Sequence, residues 1–238
     1  MSARDVSLDR IQQLERGFTL IELLVVSGIV AVLASFSVPI LRVVLEDADR
    51  VGCLNRMSQI GRATHLYAAE HEGSLPRSFH SAGAHRELNW SSSIAPFLGV
   101  PESEMESNWP RIFEKHFRCP SDRSHDAMIY SYGLNVHFEL DPDGDDYVGS
   151  PAQWRRLHSV PHPSRTILLA ETRPVPFGDH LMCHQWSGIQ AARNALSSDR
   201  HGRQSHFLFV DGHVELLPVE KTLDLSQAVN LWNPSLAR

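Results

Sequence analysis

The chain has 238 residues, 42% of them hydrophobic, and a formal net charge of -6. That length holds one sizeable domain plus an anchor, and the hydrophobic share is enough for a core. The acidic balance, with no Lys/Arg cluster interleaved with aromatics, excludes nucleic acid as the main partner.

Residues 1–17 are polar, with Arg4, Arg10 and Arg16 balanced by Asp5, Asp9 and Glu15, and cannot enter a bilayer. Leu23 to Leu41 carries no charge. Its roughly 19 residues match the ~20 needed to cross a ~30 Å hydrocarbon core. Within it, Ser27, Ser35 and Ser37 can bond back to helix carbonyls, and Gly28 and Ala31 permit close helix contact. Pro39 is expected to kink or loosen the helix near its membrane exit. Charges begin beyond Arg42, yet Val51, Leu54, Met57, Ile60, Ala63 and Tyr67 continue an apolar stripe every three or four residues. Gly73 and Pro76 close it. The pattern predicts one helix from about Phe18 to Glu72, roughly 80 Å long at 1.5 Å per residue. Its front half, about 20–41, spans the membrane, and its amphipathic rear half lies on the domain that follows.

Glu22 stands at the front edge of the apolar run. A carboxylate at bilayer depth costs about 3 kcal/mol, so it demands a role. Cutting the chain after Gly17 gives Phe18 a free amine, positive near neutral pH. Phe18 and Glu22 then share one helix face. The amine can pair with its own Glu22 or with that of a neighbouring subunit, and the second pairing fixes the stagger between helices.

The run Arg16-Gly17-Phe18-Thr19-Leu20-Ile21-Glu22, the apolar helix and Pro39 resemble the type IV pilin and type II secretion pseudopilin class. The resemblance covers about the first 55 residues. It implies a leader (1–17) removed between Gly17 and Phe18 by a prepilin peptidase and methylation of the new Phe18 amine. It also implies docking of Glu22 with other subunits in a filament. A single-pass location in the bacterial cytoplasmic membrane follows, with the C-terminal domain outside. Two readings compete. Val32-Leu33-Ala34 before Ser35 makes a passable signal-peptidase site that would release a soluble domain, although Glu22 inside the apolar region argues against it. A plain signal anchor that never assembles is the other.

From Ser74 onward, Pro, Gly, Ser, Asn and Trp become frequent. Short helices are expected around Ile94–Leu98 and Asn108–Phe117. Strands are expected at Met128–Leu134, Thr166–Ala170, His206–Val210 and His213–Leu217. The last two are joined by Asp211-Gly212, read as a type I′ hairpin turn. Phe207 and Phe209 share a face that packs on a core. The expected architecture is α+β: a long N-terminal transmembrane and amphipathic helix (18–72) packed on a small antiparallel sheet domain (73–238), as in pilins. His201, nine intervening residues, then Asp211-Gly212 resembles the H-X9-DG C-terminal signature, which accompanies prepilin-type leaders in planctomycetes and related bacteria. Cys119-Pro120-Ser121-Asp122 and Tyr132-Gly133-Leu134-Asn135 are also similar to segments of those proteins.

Several constellations invite chemistry. His201, His206, Asp211 and His213 contain zinc-ligand types. Against that, Asp211 is explained by the turn, His206 and His213 read as a facing cross-strand pair, and His201 as a partner of loop backbone. Asp141 to Asp146 is either an oxygen-rich calcium loop or, more simply, a solvated acidic turn. Of Cys53, Cys119 and Cys183, a Cys119–Cys183 disulfide is weighed evenly against three free thiols. Glu171, near His180 and His184, reads as a strand-end carboxylate beside exposed loop histidines. No Gly-x-Ser-x-Gly elbow exists. Neither catalytic residues nor a metal or other cofactor are expected. The alternative function is a membrane-anchored periplasmic binding domain that contacts a ligand through loops such as Trp90, Trp154 and Trp186.

Overall fold

The computed structural model describes residues 17–124, 129–140, 153–176 and 178–238. The acidic run Asp141–Asp146 lies outside the described residues. By compactness the chain divides into residues 1–45 and 46–238.

The first helix, α1 (Leu20–Glu70), meets the periodicity-based expectation within two residues at each end. It continues through Pro39 without a break. The hydroxyls of Ser27, Ser35 and Ser37 donate to the carbonyls of Leu23, Val32 and Leu33 at 2.6–2.8 Å. These polar groups are thereby satisfied inside an apolar stretch. The helix stops where Glu72 and Gly73 turn left-handed (φ 55° and 81°) and the Gly73 amide donates to the Ala68 carbonyl at 2.7 Å. Such a 6→1 bond is the Schellman stop.

In the first unit, the large apolar side chains from Phe18 to Leu45 are exposed. In the second, α1 buries Cys53, Met57, Ile60 and Ala63 against a sheet. The apolar stripe differs from the expected one at its start. Val51 and Leu54 are exposed, and Cys53 takes the inward position. At 3.6 residues per turn, 53, 57, 60 and 64 hold a truer face than 51 and 54.

The sheet contains β1 (Tyr132–Asn135), β2 (Ile167–Glu171), β3 (His180–Leu181), β4 (Ser205–Phe209) and β5 (Val214–Leu217). Its spatial order is β3-β1-β2-β4-β5, antiparallel except for the parallel β1/β3 pair. The two central strands, β2 and β4, are buried throughout. Leu168, Leu208 and Val210 face the α1 side. Ile167, Ala170, Phe207 and Phe209 face a second core with Val219, Leu223, Leu231 and Trp232. Burial on both faces explains the near-continuous apolar runs Ile167–Ala170 and Phe207–Val210. Phe207 and Phe209 do share a face, but it is the one opposite the long helix.

Short helices complete the unit: α2 (Phe79–His85), α3 (Trp90–Ile94), α4 (Glu102–Met105), α5 (Trp109–His116) and α6 (Ile189–Ala195). A single 3₁₀ turn follows α3 at Pro96–Leu98. Trp90 is buried in the first core, and Trp154 packs against it. Trp186 stacks edge-on against Trp232, 4.9 Å between ring centroids. A two-stranded ladder, β6 (Leu223–Asp224) and β7 (Val229–Asn230), lies near the C-terminus.

Candidate functional site

At the N-terminal end, Thr19 and Glu22 form a reciprocal cap. The Glu22 Oε2 accepts from the Thr19 amide at 2.9 Å and from its hydroxyl at 2.7 Å. The Thr19 Oγ1 accepts from the Glu22 amide at 3.2 Å. This is a capping box: two of the helix's unpaired N-terminal donors are satisfied by one Thr-x-x-Glu pair. The Thr-x-x-Glu spacing that makes this box is itself legible in the sequence. Phe18 and Leu20, on either side of Thr19, are 70% and 83% exposed. A helix with apolar side chains exposed on all sides has no stable surface in water. It requires lipid or other helices. Gly17 and Gly28 have open space where a side chain would project.

In the second unit, the residues of the H-X9-DG spacing do not converge. His201 precedes β4, and Asp211-Gly212 follows it in the hairpin. The turn is not type I′. Gly212 alone takes the left-handed backbone (φ 94°), and its amide donates to the Phe209 carbonyl at 2.9 Å. The Phe209 amide then donates to the His213 carbonyl at 2.9 Å. That makes a three-residue loop with glycine at the left-handed position. Asp211 Oδ1 caps it by accepting from the His213 amide at 3.1 Å. His206 and His213 do not face each other, since His206 pairs with Leu216 and the His213 ring stacks on Phe209. A zinc set of His201, His206, Asp211 and His213 is therefore not assembled.

His201 instead enters the core and meets Glu171, whose side chain is fully buried at the end of β2. The His201 Nε2 lies 2.9 Å from Glu171 Oε1, and the Cys53 thiol donates to the same oxygen at 2.7 Å. The His206 amide donates to Oε2 at 2.9 Å. Tyr132 Oη lies 3.2 Å from Cys53 Sγ, and Cys119 Sγ lies 3.5 Å from His201 Nε2. Behind them Arg200 donates to Asp122 Oδ2 (3.1 Å) and to the carbonyls of Ser131 and Thr172 (3.2 Å each). Burial alone would raise the Glu171 carboxyl. Hydrogen bonds from His201 and His206, with the charges of His201 and Arg200, outweigh it and hold the group well below the usual carboxylate range. Burial disfavours charged His201, but Cys119 and Glu171 lift it to about 9. Burial likewise opposes ionisation of Cys119, while Cys53 and His201 bring it down to about 7. Burial, then Cys119 and Glu171, push the Cys53 thiol well up.

The expected strand-end carboxylate is thus the centre of a buried polar network. Its ring partners are His201 and His206, not His180 and His184. His180 is itself mostly buried, with Nδ1 2.9 Å from Asp179 Oδ1. The cysteines are all buried and free. A Cys119–Cys183 disulfide is overturned, because the two thiols lie in different cores: Cys119 beside Cys53 and His201, and Cys183 donating to Asn135 Oδ1 at 2.9 Å. An open groove of about 1050 Å³ lies elsewhere, lined by residues including Tyr67, His71, Arg77, Glu87, Phe97 and Arg155. None of Trp90, Trp154 or Trp186 lines it; Trp90 is buried, and Trp154 and Trp186 are partly buried against the two cores.

The helix and its capped carboxylate define a class: a chain anchored by an N-terminal apolar helix that carries one acid in its first turn. Residues 13–38 match the Prokaryotic N-terminal methylation motif. The match supports a prepilin-type N-terminus, and with it the type IV pilin and pseudopilin class and a membrane-anchored structural subunit. It ends at Val38 and does not reach His201, Asp211 or Gly212. Comparison with curated proteins and with solved structures gives no match.

Proposed function

We propose that this chain is a pilin-like or pseudopilin subunit, assembled through α1 into a filament of the type II secretion or type IV pilus kind. The observation that carries the reading is the coincidence of the methylation motif at residues 13–38 with an apolar helix exposed on all sides and capped by Glu22. A prepilin peptidase removes residues 1–17 at the Gly17–Phe18 bond, and the Phe18 amine is methylated. The helix holds the chain in the cytoplasmic membrane as a single span, with residues 73–238 outside, until subunits associate. Pro39 loosens the helix ladder by withholding one amide.

Glu22 then serves two purposes. Its Oε2 closes the capping box. Among the described residues Oε1 takes no hydrogen bond, so it can receive the amine of a neighbouring subunit while the box stays closed. Apolar helix surfaces then leave lipid for one another, and the carboxylate gains a counter-charge. The H-X9-DG residues belong to the folding of the outer domain: His201 to its buried network, Asp211 and Gly212 to its hairpin.

One pair of variants tests the reading. Gly17→Val leaves the chain at its precursor mass by intact mass spectrometry, and Glu22→Gln is cut and inserted normally but gives fewer cross-linked multimers. A mature mass in Gly17→Val, or multimers at the parental yield in Glu22→Gln, refutes the processing or the docking step respectively.

A further inference from the structure

Cys53, Glu171, His201 and His206 each offer a ligand atom, and the four atoms lie within 4.8 Å of one another. They come from α1, the end of β2, the loop before β4 and β4 itself. All four residues are at most 4% exposed. We infer that this cluster is a structural transition-metal site, and that its ion is zinc.

The donor set chooses the metal. One thiolate, two imidazoles and one carboxylate are the ligands of tetrahedral zinc, whereas calcium and magnesium take oxygen donors. Bonds of about 2.0–2.3 Å place tetrahedral ligand atoms roughly 3.5 Å apart. The contacts at Glu171 Oε1, 2.7 Å to Cys53 and 2.9 Å to His201, are tighter than that. His206 Nδ1 is 3.5 Å from Glu171 Oε2. Modest side-chain adjustment therefore opens a coordination sphere.

His206 is the observation that a purely organic network leaves unexplained. Its ring is fully buried; Nδ1 has only the 3.5 Å approach to Glu171 Oε2, and Nε2 has no hydrogen-bond partner among the described residues. A buried imidazole nitrogen left without a partner costs about 1–3 kcal/mol, and a metal bond to the ring removes much of that cost. The charges also close. A divalent ion with the Cys53 thiolate and the Glu171 carboxylate sums to zero, and the neighbouring Arg200–Asp122 pair is neutral by itself. On binding, the Cys53 thiol releases its proton to solvent and both imidazoles ligate as neutral rings, so no charge is left over in the core.

An outer shell is present. Tyr132 Oη is placed to donate to the Cys53 sulfur, and Arg200 Nη1 stands 3.8 Å from Glu171 Oε1. Such partners orient ligands. A small polar cavity of about 320 Å³, lined by both acids (Glu46, Asp49, Asp199) and arginines (Arg50, Arg123, Arg200), reaches His201 from the surface. Four protein ligands leave no open position for substrate, so the ion's role is to tie α1 to the sheet, not catalysis.

The test uses the full chain in detergent. Elemental analysis is expected to find about one zinc per chain, and chelation to lower the melting temperature with recovery on adding zinc. Cobalt exchanged into the chelated protein is expected to show a thiolate-to-metal charge-transfer band that Cys53→Ser lacks. His206→Gln lowers zinc content while leaving the domain folded at low temperature. Substoichiometric zinc in the purified chain together with no melting shift on adding zinc overturns the inference, as does a disulfide at Cys53 found by mass spectrometry. The metal analysis and the cobalt band are read on the parent protein, so they decide even where a variant fails to fold.

Discussion

Gly61 sits on the buried face of α1 where the helix meets β4. A β-carbon there would stand 2.8 Å from Leu208 Cδ1 and 3.4 Å from the Gly212 carbonyl oxygen. Leu208 is fully buried, so its methyl has little room to retreat. Gly61→Ala therefore overpacks the interface, at about 1–3 kcal/mol. The same change removes the helix penalty of glycine, a gain of about 1 kcal/mol. The net expectation is a loss of about 1 kcal/mol, or roughly 2–4 °C in melting temperature for a unit of this size. Gly83, inside α2, is the control, because nothing lies within 4 Å of its missing β-carbon and its φ is not left-handed. Gly83→Ala should gain about 0.5–1 kcal/mol. The assay is thermal unfolding of the detergent-solubilised chain, followed by circular dichroism. A double-mutant cycle with Leu208→Val sharpens it: the shorter side chain should absorb the new methyl and give a favourable coupling. A Gly61→Ala chain as stable as Gly83→Ala, or a zero coupling with Leu208→Val, would refute the claimed close approach.

Two further outcomes concern the polar interior. Burial, and then the neighbouring His184, hold His137 down to about 4. The unfolded chain takes up its proton near 6.5 while the folded chain refuses it, so this contribution is complete above pH 6.5 and is lost as pH falls toward 4. Unfolding free energies from urea titrations at pH 7 and pH 4.5 should differ by about 2 kcal/mol more in the parent than in His137→Gln; equal differences would discard the assignment. Arg200→Met should cost about 3–5 kcal/mol, because it strands the buried Asp122 carboxylate, whereas Arg200→Met with Asp122→Asn should recover part of the loss. A double variant no better than the single one would show that the pair is not the source.

Local signals carried most of what could be read in advance. The period of apolar residues locates α1. The two short strand-like runs on either side of Asp211-Gly212 locate the β4–β5 hairpin. The turn type is not legible from Asp211-Gly212 alone, because the same pair serves loops of two and of three residues; here the loop has three and glycine alone adopts positive φ. Short elements such as β3 and α2 carry too few residues to show a period, and they exist because tertiary packing holds them. Glu171 reads as a strand-end carboxylate and is one, but its burial and partners are not legible in the sequence. Its partners come from positions 53, 200, 201 and 206, so no spacing rule links them, and a strand-end acid is usually wet. Only the fold brings them together. The cysteine pairing failed similarly, since residues on opposite faces of a sheet look equally available in a linear chain. Thr19 and Glu22 were legible throughout.

The second face of the sheet is closed by the last part of the chain. The Ile167 amide donates to the Leu231 carbonyl at 2.8 Å, and Asn135 Nδ2 donates to the Trp232 carbonyl at 2.7 Å. Phe207 and Phe209 are covered by Val219, Leu223 and Trp232. A polypeptide emerges from its N-terminus, so α1 is complete long before the strands that cover Met57 and Ile60, and those strands wait in turn for residues beyond 218. Every layer depends on one made later. Such distant pairings fold slowly and leave apolar surface open in the meantime. Truncation after Leu217 would therefore do more than trim a tail: it would leave a half-covered sheet, vulnerable to proteases and holdases during biogenesis.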